Sequence, residues 1–120
     1  MNAKEIVSNY YKSDAVINPE ILNDYLHEDV ILNWHSSKGY IQLNKSDIVR
    51  LISDMRRSYT SSRINVHSIL SDDNMVSARY THYVIPIESS NEEMILAQFM
   101  SFWEVKDDKL YKGYLMSQLA

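Results

Sequence analysis

Two histidines beside aromatic residues are the side chains that could do chemistry in this sequence. Residues 29–39 read DVILNWHSSKG, so an apolar run ends on Trp34 and His35 before the chain turns at Gly39. His82 lies in a second apolar run, at alternate spacing from Tyr80. Because the pKa of an unperturbed imidazole is about 6.5, either histidine could be a general base. The alternative for each is structural: a solvated His35 and a hydrogen-bonded core His82.

Other kinds of chemistry lack their usual residues. Ser36 and Ser37 do not form a triad with His35, since adjacent strand residues point to opposite faces and no orienting acid is apparent. The four histidines show no metal-ligand spacing, and there is no glycine-rich phosphate loop. Cysteine is absent, which excludes thiolate nucleophiles and disulfides. We therefore predict no metal and no cofactor.

Composition indicates one globular domain spanning residues 1–120. Hydrophobic residues make up 45% of the chain and charged residues 23%, with a net charge of −4. The basic residues are scattered and the balance is acidic, so a nucleic-acid partner is not expected. No segment has the length of a signal peptide or of a membrane span, and we predict a cytoplasmic protein without membrane contact.

Periodicity predicts the order helix, helix, strand, helix and then four successive strands. Asn18-Pro19 and Asn44 are typical helix starts. The second helix is predicted to end near residues 27–29, and residue 59 extends the apolar face of the third. The predicted strands are 30–34, 63–70, 75–88, 92–106 and 109–119, with a loop at 36–40 and turns at 72–74, 89–91 and 107–108. This order predicts an α+β fold, an antiparallel sheet with helices on one face.

The strand at 92–106 is apolar on both faces. One face carries Phe99, Ser101 and Trp103, and can pack on the helices. No helix remains in the sequence to cover the other face. We therefore predict a homodimer that buries this second face, formed by Leu96, Gln98, Met100 and Phe102. The alternative is ordinary scattered apolar surface.

Three stretches resemble the nuclear transport factor 2-like superfamily, which includes ketosteroid isomerases and SnoaL-like polyketide cyclases. They are YLHEDVILNWHSSKGYI, NMVSARYTHYV and FMSFWEVKDDKLYKGYLMSQ, and the resemblance extends over essentially the whole chain. It implies a cone, in which a curved sheet wraps around three helices and is often dimeric through its outer face. It does not imply one function, because the fold hosts isomerases, cyclases, hydrolases and non-catalytic association domains.

The resemblance also assigns positions, and two of the three isomerase identities are missing. Trp34 occupies the position of the catalytic aspartate, and Ser101 lies near that of an acidic oxyanion donor. Tyr10 matches the position of the oxyanion-binding tyrosine. Gln118 falls in the region where several SnoaL-like enzymes place an acid, and a carboxamide is not a base.

We thus predict a pocket for a small apolar or aromatic ligand, whose identity the sequence does not give. Catalysis, if any, would use His35 or His82 as base and Tyr10 as donor to an oxyanion. The alternative function is a non-catalytic dimerisation module in which aromatic rings fill the interior. The residues predicted to line the pocket are Tyr10, Trp34, His35, Tyr80, His82, Ser101 and Trp103.

Overall fold

The computed structural model describes residues 1–88 and 92–120. Its helices are α1 (Ala3–Lys12), α2 (Pro19–Tyr25) and α3 (Lys45–Ser58), and a short 3-10 helix (Asp14–Val16) separates α1 from α2. Its strands are β1 (Leu26–Ser36), β2 (Gly39–Leu43), β3 (Tyr59–Asp72), β4 (Met75–Pro86), β5 (Met94–Lys106) and β6 (Lys109–Leu119). The turn predicted at residues 89–91 lies outside the described residues.

Asparagine side chains cap the starts of the helices. Asn18 accepts a hydrogen bond from the backbone N–H of Glu20 (3.0 Å), and Pro19 occupies the first turn of α2. Asn44 accepts from the N–H of Asp47 (3.0 Å), and the Asp47 carboxylate accepts from the N–H of Asn44 (3.1 Å). Such a capping box satisfies amides that the first turn of a helix leaves unpaired. The helix starts predicted at Asn18 and Asn44 are confirmed.

The strands form one open, six-stranded sheet in the order β2-β1-β6-β5-β4-β3. Neighbouring strands are antiparallel except β1 and β6, which run parallel. The predicted α+β class is therefore confirmed, but the sheet is mixed rather than wholly antiparallel. The parallel pair joins the first and last strands of the chain, and no local pattern in a sequence encodes such a distant pairing.

The prediction was wrong at the start of the sheet. α2 ends at Tyr25, and β1 begins at Leu26 because this residue already pairs with Leu110 of β6. Residues 36–40, predicted as a loop, form the turn into β2, with Gly39 at a φ of +113°. The first four residues of β2 are all exposed. This strand therefore lacks the alternation of burial that makes a strand recognisable from sequence.

The start of β3 and a bulge within it also depart from the prediction. Tyr59, predicted at the end of α3, is the first residue of β3. The register with β4 shifts between Val66 and Ser68, which leaves one residue of β3 without a partner. Beyond this bulge Ile69 packs against the core, whereas Leu70 is 72% exposed.

One face of the sheet packs on the helices and forms the core. α1 contacts β3 and β4, whereas α3 contacts β1 and β3.

Two predicted turns form where expected, one at Asp73 and one at Asp107 and Asp108. These three aspartates have positive φ. Within the described residues, no helix is long and apolar enough to cross a membrane. The cytoplasmic location stays a prediction.

Candidate functional site

The sheet register brings most of the predicted site residues to the inner face. Ser101 of β5 lies opposite Leu115 of β6, and Leu115 lies beside Trp34 of β1. Tyr80 of β4 lies opposite Phe99 of β5, and their rings stack with centroids 5.0 Å apart. Since β-strand side chains alternate between faces, these residues form a continuous aromatic surface beneath the helices.

A buried cluster of polar groups joins α1 to this surface. The Tyr11 hydroxyl lies 2.6 Å from the Ser101 hydroxyl, and the indole N–H of Trp103 donates to the Tyr11 hydroxyl (3.2 Å). The ring of Tyr11 also lies 4.6 Å from that of Tyr80. These contacts let the core bury several polar groups, because each hydrogen bond offsets the cost of removing a group from water.

Tyr10, the tyrosine predicted for the site, has different neighbours. Its ring packs edge-on against Tyr25 (5.6 Å) and Trp103 (6.4 Å), and it is 4.9 Å from Tyr11. The structure thus brings Tyr11 rather than Tyr10 to Ser101. The two tyrosines are adjacent and both buried, so the sequence does not indicate which hydroxyl makes this bond.

Burial controls the charge of the tyrosines. It raises the pKa of the Tyr10, Tyr11 and Tyr80 hydroxyls, because the phenolate is poorly solvated in the core. The hydrogen bonds from Ser101 and Trp103 oppose this shift at Tyr11 without outweighing it. At neutral pH these groups are therefore uncharged hydrogen-bonding groups.

His82 is the buried imidazole of the inner face. The residue is only 4% exposed, and its Nε2 has no hydrogen-bond partner among the described residues. Its ring centroid lies 6.3 Å from that of Phe99. Burial lowers the pKa of His82 from 6.5 to about 4, so the ring is neutral at pH 7. An unpaired buried nitrogen costs free energy, and such groups are enriched at functional sites.

We expect acidification to destabilise the protein through His82. The unfolded chain binds a proton at this histidine below pH 6.5, whereas the folded chain resists protonation down to about pH 4. The free energy of unfolding should therefore fall as the pH drops through this window, by at most about 3 kcal/mol. Below the folded pKa both states are protonated, and this contribution levels off. Urea unfolding measured across the window tests the expectation.

The matched variant for this experiment is His82→Phe. It should lose the part of the pH dependence that His82 contributes, and at pH 7 it should be at least as stable as the wild type. An identical pH profile for His82→Phe and the wild type would contradict the assignment of a neutral, buried imidazole.

Trp34 and His35 lie on opposite faces of β1. The indole N–H of Trp34 donates to the Ser117 hydroxyl (2.8 Å), and Trp34 packs against the core. His35 is exposed on the outer face, where its ring lies 4.7 Å from that of Tyr40. The structure therefore does not bring His35 to the other predicted site residues, because the two-residue period of the strand directs it outward.

Two adjoining cavities form a cleft along the first half of β3, which we call the β3 cleft. The inner lobe has a volume of about 410 Å³ and reaches Tyr11, Ile64 and Val66. The outer lobe has a volume of about 290 Å³ and reaches the C-terminal end of α3. Asp14, Ile17 and Ser62 line both lobes and therefore make the cleft continuous.

The inner lobe adjoins the buried residues of the inner face. Ile64 lies opposite His82 in the sheet, and Val66 lies opposite Tyr80. Tyr11, a wall of the lobe, carries the hydroxyl that bonds Ser101. None of the seven residues predicted to line a pocket lines this cleft, although Tyr80, His82 and Ser101 lie next to its inner lobe. The cleft was not predicted, because its walls come from two distant stretches of the chain, 11–18 and 55–66, with no shared motif.

A metal centre has no ligand set in the part of the chain that the structure describes. No group of three or more histidine or acidic side chains is close enough there to hold an ion. The groups at the β3 cleft are instead hydroxyls, an amide and a few charged side chains: Ser13, Asn18, Thr60, Ser61, Ser62, Lys12, Asp14, Arg56 and Arg63. This set can bind a polar organic group but cannot enclose a metal ion.

Solved structures share the architecture at low sequence identity. IdmH from Streptomyces antibioticus, a candidate polyketide cyclase, superposes with a TM-score of 0.79 at 10% identity, covering 98% of this chain and 92% of that chain. A candidate ketosteroid isomerase from Kribbella flavida gives a TM-score of 0.71 at 15% identity, covering 98% and 78%. The chain has the nuclear transport factor 2-like fold. A SnoaL-like protein from Shewanella denitrificans, itself a candidate polyketide cyclase, also shares this fold (TM-score 0.73, 7% identity, coverage 96% and 89%).

Sequence comparisons add nothing to this assignment. No protein-family model matches the sequence, and no curated protein matches it. The nuclear transport factor 2-like fold supports many unrelated activities, so the fold alone does not specify a reaction here. Function has to be argued from the β3 cleft and the residues around it.

Proposed function

We propose that this chain binds a small molecule with an apolar, ring-shaped body in the β3 cleft. The observation that carries the proposal is the inner lobe, a cavity of about 410 Å³ next to the Tyr11–Ser101 pair. Small-molecule pockets typically measure about 300–1,000 Å³ and combine apolar walls with a few polar groups. Ile17, Ile64 and Val66 supply such walls.

The chemistry of the neighbouring groups favours binding over catalysis. With a pKa of about 4, His82 is too weak a base to accept a proton efficiently at neutral pH. The buried tyrosines stay protonated, and Trp34 and Gln118 supply no carboxylate where the resemblance would require one. These residues fit a degenerate isomerase or cyclase, which keeps the fold and binds a ligand but does not catalyse a reaction.

Ser62→Trp tests the location of the site. Ser62 lines both lobes, so an indole at this position should fill the cleft and exclude a ligand. A thermal-shift screen of steroid-like, polyketide-like and small aromatic compounds should give ligands that raise the melting temperature of the wild type, since they bind only the folded state. The same compounds should not shift Ser62→Trp.

The control for this experiment places the same bulk outside the cleft. Ser71→Trp lies at an exposed position near the β3–β4 turn and should respond to ligands like the wild type. Compounds that stabilise Ser62→Trp as much as the wild type would show that the cleft is not the binding site.

A packed association domain is the second candidate function. It is favoured by a set of aromatic rings that pack together in the core beneath the helices. Tyr10 contacts Tyr11, Tyr25 and Trp103, and Tyr11 also contacts Tyr80, with ring centroids 4.6 to 6.4 Å apart. Native mass spectrometry with no co-purified ligand, together with a screen in which no compound shifts the wild type, would favour this second function.

We also propose that the chain forms a homodimer through the outer face of the sheet. Met100 lies opposite Met116, and Phe102 lies opposite Tyr114, so these four exposed side chains form one contiguous apolar patch. Of the other residues predicted for this interface, Gln98 is exposed, and its side-chain oxygen accepts a hydrogen bond from Thr81 (2.6 Å). Leu96 is half-buried where the β4–β5 register shifts, so it contributes less surface.

A further inference from the structure

We propose that the ligand of the β3 cleft is an anion, with its apolar body in the inner lobe and an anionic oxygen group, such as a carboxylate, beside Arg56. This inference rests on the proposed function, because it assigns the ligand of the same cleft. It follows from the apolar wall of the inner lobe and from the ion pairing of the arginines around the cleft.

Both lobes mix apolar and polar side chains. The inner lobe has an apolar wall of Tyr11, Ile64 and Val66, and it also carries Lys12 and Arg63. The outer lobe contains Arg56 and other hydrogen-bonding residues beside Met55 and Tyr59. A molecule that spans the shared segment can therefore place an apolar body against the inner wall and reach the donors of the outer lobe with its other end.

Arg56 differs from neighbouring arginines in its ion pairing. Arg57 lies 3.7 Å from the Asp54 carboxylate, and Arg63 makes a bidentate pair with Glu93 at 2.7 Å. Within residues 1–88 and 92–120, no carboxylate lies at ion-pair distance from Arg56. Its guanidinium keeps its planar set of donors for an external oxygen anion, the group that such a fork binds best.

Asn18 adds a second donor to the outer lobe. Its side-chain oxygen already accepts the N–H of Glu20 (3.0 Å) as the cap of α2. The remaining NH₂ group can only donate. Arg56 and Asn18 therefore offer donors on the same lobe, which suits a carboxylate with its several acceptor sites better than it suits a cation or a hydrocarbon.

Asp14 and Lys12 set the charge of the rest of the cleft. Asp14 lies where the lobes join, and Lys12 lines the inner lobe. Among the cleft residues that the structure describes, Arg63 is neutralised by Glu93, and the free cations Lys12 and Arg56 outnumber the carboxylate of Asp14. The cleft as a whole therefore attracts negative charge. The Asp14 carboxylate can accept a hydrogen bond from a hydroxyl in the middle of the ligand, and it disfavours an anionic group at that point.

Two fluorescent probes that differ only by an anionic group test the proposal. Anilinonaphthalene sulfonate carries a sulfonate, and N-phenylnaphthylamine has the same rings without it. We expect the wild type to bind the sulfonate more tightly than the neutral amine. Arg56→Gln should weaken sulfonate binding by about 5-fold, the loss expected for a partly exposed charged hydrogen bond, and should leave the neutral amine unchanged.

Matched variants separate the possible outcomes. Arg57→Gln removes an adjacent arginine outside the cleft and should leave both affinities unchanged. Ser62→Trp should abolish the cleft binding of both probes. Both probes could bind in the cleft while Arg56→Gln changes neither affinity or changes both equally. The proposal of an anionic ligand would then be wrong, and the proposed function would stand. If neither probe binds the wild type, or Ser62→Trp leaves both affinities unchanged, the cleft is not the site and both proposals fail.

Discussion

Gly113→Ala should lower the free energy of unfolding by about 1–3 kcal/mol, although it adds only one methyl group. A Cβ atom at Gly113 would lie 2.6 Å from Cζ3 and 2.7 Å from Cη2 of Trp103, and 2.8 Å from Cδ1 of Leu32. Trp103 cannot easily withdraw, because it is 4% exposed and its indole N–H bonds Tyr11. Urea unfolding of the wild type and the variant measures the loss.

Trp103→Phe provides the control for this clash. Phenylalanine lacks the outer atoms of the indole that crowd Gly113, so Gly113→Ala should cost less in the Trp103→Phe background than in the wild type. We expect a coupling free energy of about 1 kcal/mol or more from the double-mutant cycle. Additive effects would mean that Trp103 does not limit the space at Gly113.

Met100→Glu should convert the proposed homodimer into monomers. Met100 is 59% exposed and Met116, opposite it, is 63% exposed, in a patch completed by Phe102 and Tyr114. In an interface between two such faces, a glutamate at this position would be removed from water, and pairing with Arg79, which lies opposite it on β4, would offset only part of that cost. We expect the dissociation constant to rise by roughly 100-fold or more, measured by sedimentation of the wild type and the variant.

Ile87→Glu is the matched control for the dimer. Ile87 is also a large exposed apolar residue (52%), but it lies beyond the end of β4, outside the patch. This variant should remain as dimeric as the wild type. A monomeric wild type would refute the dimer, and a Met100→Glu variant that stays dimeric would place the interface on another surface.

Parts of the fold were predictable because their causes are local. Asn44 and Asp47 cap α3 with groups three residues apart, and the aspartates near residues 73 and 107 favour the turns that they form. The alternation of β5 correctly separated the inner Ser101 and Trp103 from the outer Met100 and Phe102. β2 was missed because a short edge strand, exposed over its first four residues, carries little periodic signal.

The candidate site was less predictable, because it depends on residues far apart in the chain. Tyr11 and Ser101 are separated by 90 positions, and nothing local distinguishes Tyr11 from Tyr10 as the partner of Ser101. Arg56 is an exposed helix residue, and nothing in the adjacent sequence marks it as part of a site. Only the approach of residues 14–18 to the junction of α3 and β3 makes that guanidinium part of a cleft.

The sequence by itself determined the α+β class, the helix starts and the two faces of β5, since capping, turn formation and alternation act within a few residues. The tertiary structure decided the parallel pairing of β1 with β6 and the joining of Asp14, Arg56 and Ser62 in one cleft. It also decided the burial of His82, whose Nε2 has no hydrogen-bond partner in the described part of the chain. These features depend on how the helices pack against a sheet that contains bulges. That arrangement is a property of the whole packed core, which no short segment encodes.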